Sequence, residues 1–200
     1  MHHPAPPTPE FLAHVADRQA ALRAHLAVLL PAGTPLTLEL GCGHGHFLTR
    51  YAAAHPGECC VGLDLLADRI RRAVRKRDRA QLAHLHFLKC EAAEFLACLP
   101  SGVTLGDIFV LFPDPWPKRR HHKNRLLQAD FLTQLADRAG QGSRLFFRTD
   151  HTEYFAFAQA AIASHPAWRI DPTVPWPLEE PTVFQQKAAA FQTLVAVRAG

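Results

Sequence analysis

The sequence predicts one α/β domain built on a mainly parallel sheet, and three observations point to it. Apolar runs of strand length alternate with helix-length segments along the 200 residues, the pattern left by strands joined through crossover helices. The first apolar run ends in a glycine-rich turn, Gly41-Cys42-Gly43-His44-Gly45. Later runs lead into acids at Asp64, Glu91, Asp114 and Asp150, and the carboxyl edge of an open parallel sheet is where such folds bind ligands.

Taken from the amino terminus, Met1 to Pro9 is proline-rich and expected to be loose. Glu10 to Leu30 reads as an amphipathic helix rich in Ala and Leu, closed by Pro31 and Gly33, residues that stop helices. Residues 1–200 are thus expected to be a single domain that includes the loose residues 1–9 and an N-terminal helix over about 10–33. The first strand is Leu36 to Leu40, and after the turn a helix runs from about His46 to His55, ended by Pro56 and Gly57. Cys59 to Leu65 is the second strand. A basic helix covers about Ala67 to Gln81, where Ile70, Ala73 and Val74 form an inward stripe at helical spacing and the arginines face outward. The third and fourth strands are Leu85 to Cys90 and Asp107 to Phe112. Arg125 to Ala139 reads as helical, Arg144 to Thr149 as a fifth strand and His151 to Ser164 as a further helix. Strands near Trp168 to Asp171 and over Gln192 to Arg198 complete the sheet.

A chain of 200 residues, 48% hydrophobic and 20% charged, buries a core without disulfide or metal staples, so disorder is excluded as the default. The five cysteines, Cys42, Cys59, Cys60, Cys90 and Cys98, are odd in number and lack the paired spacing of zinc sites. They are expected to be reduced and mostly buried. His2-His3 and His121-His122 are adjacent pairs, a poor chelating geometry, and no metal site is expected. No run approaches the roughly 18 apolar residues of a membrane span, and the start does not resemble a signal peptide. A cytoplasmic location without a membrane partner is the expectation.

The net charge is +4, but twelve of the 22 Lys and Arg residues fall within Arg69 to Arg79 and Lys118 to Arg125. Clustered cations displace counterions from a polyanion, which brings nucleic acid forward as a partner. A solvated helix face is the alternative for the first stretch.

The glycine turn lets the backbone bend sharply and approach a ligand closely. Asp64 ends the second strand about twenty residues on, the offset at which an acid accepts hydrogen bonds from both ribose hydroxyls. A nucleoside is indicated. A dinucleotide is the runner-up, but the G-x-G-x-G spacing lacks the later glycine used for close helix packing, and Glu39 before the turn would repel a pyrophosphate. S-adenosylmethionine carries a sulfonium and an ammonium, which suit an acid in that place. Glu91 is positioned for the adenine edge, or simply starts a surface helix.

The most specific stretch is Leu111-Phe112-Pro113-Asp114-Pro115-Trp116-Pro117-Lys118-Arg119-Arg120-His121-His122-Lys123-Asn124-Arg125-Leu126. Prolines on both sides of Asp114 restrict the backbone and hold the carboxylate at the strand's end. This segment resembles the hallmark of the bacterial tRNA (guanine-N7)-methyltransferase family, Phe-x-Asp-Pro-Trp-x-Lys followed by a run of Arg, His and Lys. The resemblance extends more thinly from Glu39 to Lys187, through Glu39-Leu40-Gly41-Cys42-Gly43, Gly62-Leu63-Asp64, Thr149-Asp150 with Tyr154, and Thr182-Val183-Phe184-Gln185.

It implies a Rossmann-like class I methyltransferase fold, with a mainly parallel seven-stranded sheet, one antiparallel strand and helices on both faces. It also implies that Glu39, Asp64, Glu91 and Asp114, with Gly41, Gly43 and Gly45, line an S-adenosylmethionine pocket. Lys118, Asp150, Thr182 and Gln185 would meet the target nucleotide. Asp64 and Glu91 each carry the other length of carboxylate from the family's usual residue, and Gln185 stands where the family has Glu. Beyond Lys187 the family's usual glycines and tryptophan are missing.

Guanine N7 has a lone pair and no proton, so its methylation needs alignment and charge placement rather than a general base. Asp114 is the expected catalytic carboxylate, with Asp150 second. Lys118, Arg119, Arg120, Lys123 and Arg125 are expected to hold tRNA phosphates, and Trp116 either stacks on a base or wedges against the sheet. Two alternatives stay open at this point: a non-catalytic tRNA-binding relative, because of Gln185, and a methyltransferase for another substrate. Monomer and homodimer are equally compatible with the pattern.

Overall fold

In the computed structural model, which describes residues 8–30, 32–33, 35–178 and 190–200, seven strands form one sheet. They are β1 (Leu36–Leu40), β2 (Cys59–Asp64), β3 (Leu85–Lys89), β4 (Leu105–Leu111), β5 (Ala139–Thr149), β6 (Trp168–Ile170) and β7 (Gln192–Arg198). Their order is β3-β2-β1-β4-β5-β7-β6. Strands β1 to β5 pair in parallel, and β7 runs antiparallel between β5 and β6. The chain order reverses direction between β1 and β4, which opens a crevice at their carboxyl ends.

All five residues of β1 and all six of β2 are buried, as a sheet covered on both faces requires. Alternation along β4 divides the core: Ile108 and Val110 join one cluster with Leu38, Phe95, Leu132 and Tyr154, whereas Phe109 and Leu111 join another with Phe47, Tyr51 and Phe87. The first cluster is covered by α1 (Pro9–Leu29), α4 (Ala92–Cys98), α5 (Ala129–Arg138) and α6 (Thr152–Ala163), the second by α2 (His46–Ala54) and α3 (Ala67–Ala80). Thr8 caps α1 by accepting from the Phe11 N–H. In α3 the residues turned inward are Ile70, Ala73 and the half-buried Val74, as their spacing predicts. The five cysteines are free, and burial raises their thiol pKa values. Among the described residues no helix is long and apolar enough to cross a membrane.

Three elements depart from the expectation. Helix α4 is too short to show a period in the sequence. It forms because the Glu91 carboxylate caps it, accepting from the Glu94 N–H at 2.9 Å, and because Phe95 and Leu96 bury beneath it. Strand β5 begins at Ala139 rather than at the expected Arg144, because Ala139 pairs with Leu105 across a register shift. The helix expected from Arg125 starts only at Ala129, as α5, after a 3-10 helix over Arg119–Asn124 and an extended link. In the link the Leu126 and Leu127 N–H groups donate to Tyr154 Oη at 3.0 and 3.5 Å rather than to a helical turn.

Candidate functional site

The end of β1 is a buried acid followed by a turn that needs glycine. Gly41, Gly43 and Gly45 all have positive φ. The turn is tied to β2 by the Cys42 N–H donating to Leu63 O at 2.8 Å and the Gly43 N–H donating to Asp64 Oδ2 at 3.0 Å. Lys76 Nζ of α3 donates to His44 O at 2.9 Å and braces it from the side.

The three glycines differ in purpose. Among the described residues, a side chain at Gly41 or Gly43 would meet nothing within 4 Å, so these positions border open space. At Gly45 a Cβ would lie 2.6 Å from Phe87 Cζ and 2.8 Å from Ala73 Cβ. Gly45 therefore serves the close helix packing that the spacing had been read as lacking. Gly45→Ala is expected to cost about 2–4 kcal/mol, combining overpacking with the positive φ, against about 1 kcal/mol for Gly41→Ala. Urea unfolding of both variants checks the difference.

Glu39 is 4% exposed. The Leu48 N–H, in the first turn of α2, donates to its carboxylate, while Oε2 has no partner among the described residues. Burial raises its pKa to about 8 and nearby Asp64 adds to the rise, with the Leu48 bond opposing both. At neutral pH it is held mostly as the acid. Asp64 accepts from the Gly43 and Leu66 N–H groups, the latter at 2.8 Å, and Arg69 Nη1 lies 3.4 Å from its Oδ2. Arg69 is 43% exposed, so this ion pair contributes little and is easily exchanged.

Asp114 lies on the loop after β4, and the backbone around it is strained. Phe112 and Trp116, two places to either side, have φ of 51° and 46°, a left-handed conformation that costs a bulky residue on the order of 1–2 kcal/mol. The loop is held by the Phe112 N–H donating to Arg148 O at 2.8 Å and by Arg125 Nε donating to Pro115 O at 3.0 Å. Arg125 is 2% exposed, with its guanidinium 5.2 Å from the Tyr154 ring and 5.1 Å from that of Phe157. This corrects the expectation that Arg125 holds phosphate. Its charge is spent inside the protein, where it anchors the Asp114 loop.

These elements meet at a cavity of about 470 Å³ lined by Gly41, Asp64, Glu91 and Asp114, with Leu65, Leu66, Arg69 and Trp116 among the other walls. Glu39, Gly43 and Gly45 do not line it. Glu39 lies behind the turn, close enough to Asp64 for the Asp64 charge to add to the rise in the Glu39 pKa. A larger recess, about 570 Å³, opens at the opposite strand ends around Asp107 and Arg144. There Arg144 forks onto Asp107 with two bonds of 2.7 Å, a pair that satisfies itself. The smaller cavity has the glycine turn, the strand carboxyl ends and the converging acids, so it is the candidate site.

Lys118, Arg119, Arg120 and Lys123 are exposed along and just before the 3-10 helix. Trp116 meets the His121 ring edge-on at 5.8 Å. Asp150 is exposed just beyond β5 and is not part of the cavity wall. Thr182 and Gln185 lie outside the described residues.

A family model described as "Putative methyltransferase" matches residues 33–195. A tRNA (guanine-N(7)-)-methyltransferase of Thermosynechococcus vestitus is 34% identical over 149 residues, covering 72% of this chain and 70% of that protein. The chain belongs to the tRNA (guanine-N7)-methyltransferase family. A protein of the same name from Thermus thermophilus is 38% identical over 124 residues, and that alignment covers 62% of this chain and 40% of the relative. A solved 16S rRNA (adenine(1408)-N(1))-methyltransferase variant from Catenulisporales acidiphilia, with cosubstrate SAM, aligns at a TM-score of 0.57. It is 19% identical, over 92% of this chain and 91% of that one. The likeness extends to the fold, Rossmann-like α/β.

In this member of the tRNA (guanine-N7)-methyltransferase family, the cavity has walls that sequence reasoning missed. Leu65 and Leu66 are 62% and 52% exposed at its mouth. Their signal was an apolar pair placed after the last strand residue, where the strand no longer buries it. Arg69 was hidden among the other arginines of α3. Leu126 was assigned to a helix.

Proposed function

We propose that the chain transfers a methyl group from S-adenosylmethionine to N7 of a guanosine in tRNA, in the cytoplasm. The observation that carries this reading is the convergence of Asp64, Glu91 and Asp114 with the glycine turn on one cavity, beside an exposed run of cations. The family to which the chain belongs supports it.

The residues fit the cofactor. A carboxylate oxygen of Glu39 buried behind the turn with no partner among the described residues, acidic cavity walls, and open space beside Gly41 and Gly43 suit a cationic nucleoside. The volume is within the ordinary range for such ligands, roughly 300–1,000 Å³. Asp64 would hold the ribose, exchanging its contact with Arg69. Leu65 and Leu66 offer an apolar surface to the adenine, and Glu91 its polar edge. S-adenosylmethionine supplies, when bound, a methyl group activated by a sulfonium.

Guanine N7 has no proton to remove, so no residue serves as a base. Asp114 holds negative charge near the purine, where positive charge develops. The strained loop and its Arg125 anchor hold that carboxylate in place. Asp150, Thr182 and Gln185 are assigned to the target nucleotide, and Lys118, Arg119, Arg120 and Lys123 to phosphates. N7 lies on the deep-groove edge of an RNA helix, so the base must come from a loop or leave its stack.

The test is incubation with unmodified tRNA and labelled cofactor, followed by nucleoside digestion. Labelled 7-methylguanosine is the expected product. Label on another nucleoside, or none at high enzyme concentration, sinks the reading.

A further inference from the structure

Helix α3 carries Arg69, Arg71, Arg72, Arg75, Lys76, Arg77 and Arg79 against only Asp68 and Asp78. Packing accounts for one stripe of it, through Ile70, Ala73 and Val74. Local ion pairs account for part of the rest. Asp68 takes Arg71 at 3.1 Å and Arg72 at 3.0 Å, Asp78 takes Arg77, and Arg69 faces Asp64. Arg75 and Arg79 are exposed and make no hydrogen bond or ion pair among the described residues.

The excess charge is uncomfortable. Partial burial lowers the Lys76 pKa, and the fields of Arg72 and Arg79 lower it further. His46 is lowered by burial and then by Lys76, His44 and Arg50. The glycine turn and the start of α2 therefore share one positive field with α3. A face whose task is solvation does better with mixed signs, because like charges at helical spacing repel. Binding a polyanion would relieve that repulsion.

We propose that the outward face of α3, through Arg72, Arg75 and Arg79, is a second RNA-binding surface that holds the substrate's phosphate backbone beside the cofactor cavity. This rests on the reading of an RNA substrate given above. The three arginines recur at i, i+3 and i+7, on one side of the helix and over about 10 Å. That matches the axial rise of about three nucleotides at ~3.4 Å each. Arg69, in the first turn of α3, lines the same cavity as Trp116 and Asn124. The two cationic segments thus flank one opening, and an RNA whose target base enters the cavity can rest on both. A lipid surface is a poorer match, because the exposed apolar side chains within α3 are only Ala67 and Ala80, and the exposed Leu65 and Leu66 just before it line the cavity, which leaves no large apolar side chain on the Arg72, Arg75 and Arg79 face to enter a bilayer.

The experiment compares wild type with the Arg72→Gln/Arg75→Gln/Arg79→Gln variant, after thermal melts establish equal folding. Full-length tRNA binding is measured by fluorescence anisotropy across a salt series, together with cofactor calorimetry and methyl-transfer rates. The variant is expected to bind tRNA about tenfold more weakly at 0.15 M salt, with the slope of log K against log salt reduced by about two. Its cofactor affinity and its kcat at saturating tRNA stay at wild-type values. Wild-type affinity and slope in the variant overturn the proposal. So does loss of binding to phosphatidylserine-containing vesicles with tRNA affinity retained, which would make the face a membrane surface. Absence of methylation by the wild type, with an arginine-dependent salt slope still present, removes the enzymatic reading and leaves this surface standing.

Discussion

Asp114→Ala is expected to lower the rate of methyl transfer by about 10²–10³-fold while leaving the thermal melt within a degree or two of wild type. The size follows from removing one fixed electrostatic partner of the transition state, which in enclosed sites is on the order of 3–4 kcal/mol. The stability expectation follows from the exposure of Asp114, whose side chain makes no hydrogen bond or ion pair among the described residues. Asp114→Asn separates charge from shape. If negative charge is what the site uses, the amide is nearly as damaging as alanine, whereas a positioning role would leave Asn close to wild type. Single-turnover rates with saturating tRNA and cofactor report on the chemical transfer. A wild-type rate in Asp114→Ala would remove the assignment.

Glu39→Gln is expected to act in opposite directions on stability and on cofactor binding. The folded protein keeps Glu39 protonated up to about pH 8, whereas its ordinary value is 4.5. Between those values the unfolded chain releases a proton that the folded chain retains, so folding stability falls as pH rises and levels off above about 8. The span corresponds to a loss on the order of a few kcal/mol. Glutamine cannot ionise, so the variant should melt at the same temperature as wild type near pH 5 and higher than wild type at pH 8–9. Its amide oxygen still accepts from the Leu48 N–H.

Cofactor affinity should move the other way. Loss of the Glu39 carboxyl, which lies behind the glycine turn and acts on a cationic ligand through its field rather than by contact, is expected to weaken binding about tenfold. Wild type should also release a proton on binding at pH 7, visible as a binding heat that changes with the ionisation enthalpy of the buffer. Identical melting curves for the two proteins across this pH range would mean that Glu39 is not buried as an acid. Equal cofactor affinity would separate it from the site.

The parts of the molecule that were legible in advance are those set by local chemistry. The run Leu36 to Leu40, the turn at Gly41 to Gly45 and the acid at Asp64 form a unit whose period and turn residues lie within thirty positions of each other. The inward stripe of α3 follows from helical spacing, and the prolines around Asp114 restrict their own backbone. The basic run at Lys118 to Arg125 was visible as charge, but charge alone does not say which cation faces water.

The sequence by itself determined the alternation of strands and helices, the sheet edge on which the acids gather, and the residue types available there, because these depend on neighbours along the chain. The tertiary structure alone decided that Arg125 turns inward between Tyr154 and Phe157, that Gly45 is compressed by Phe87 and Ala73, and that β5 starts early against Leu105. It also decided that one oxygen of Glu39 is buried without a partner among the described residues. Each of these depends on how segments far apart in sequence come together. Its energy comes from desolvation and packing, which exist only once the two segments have met.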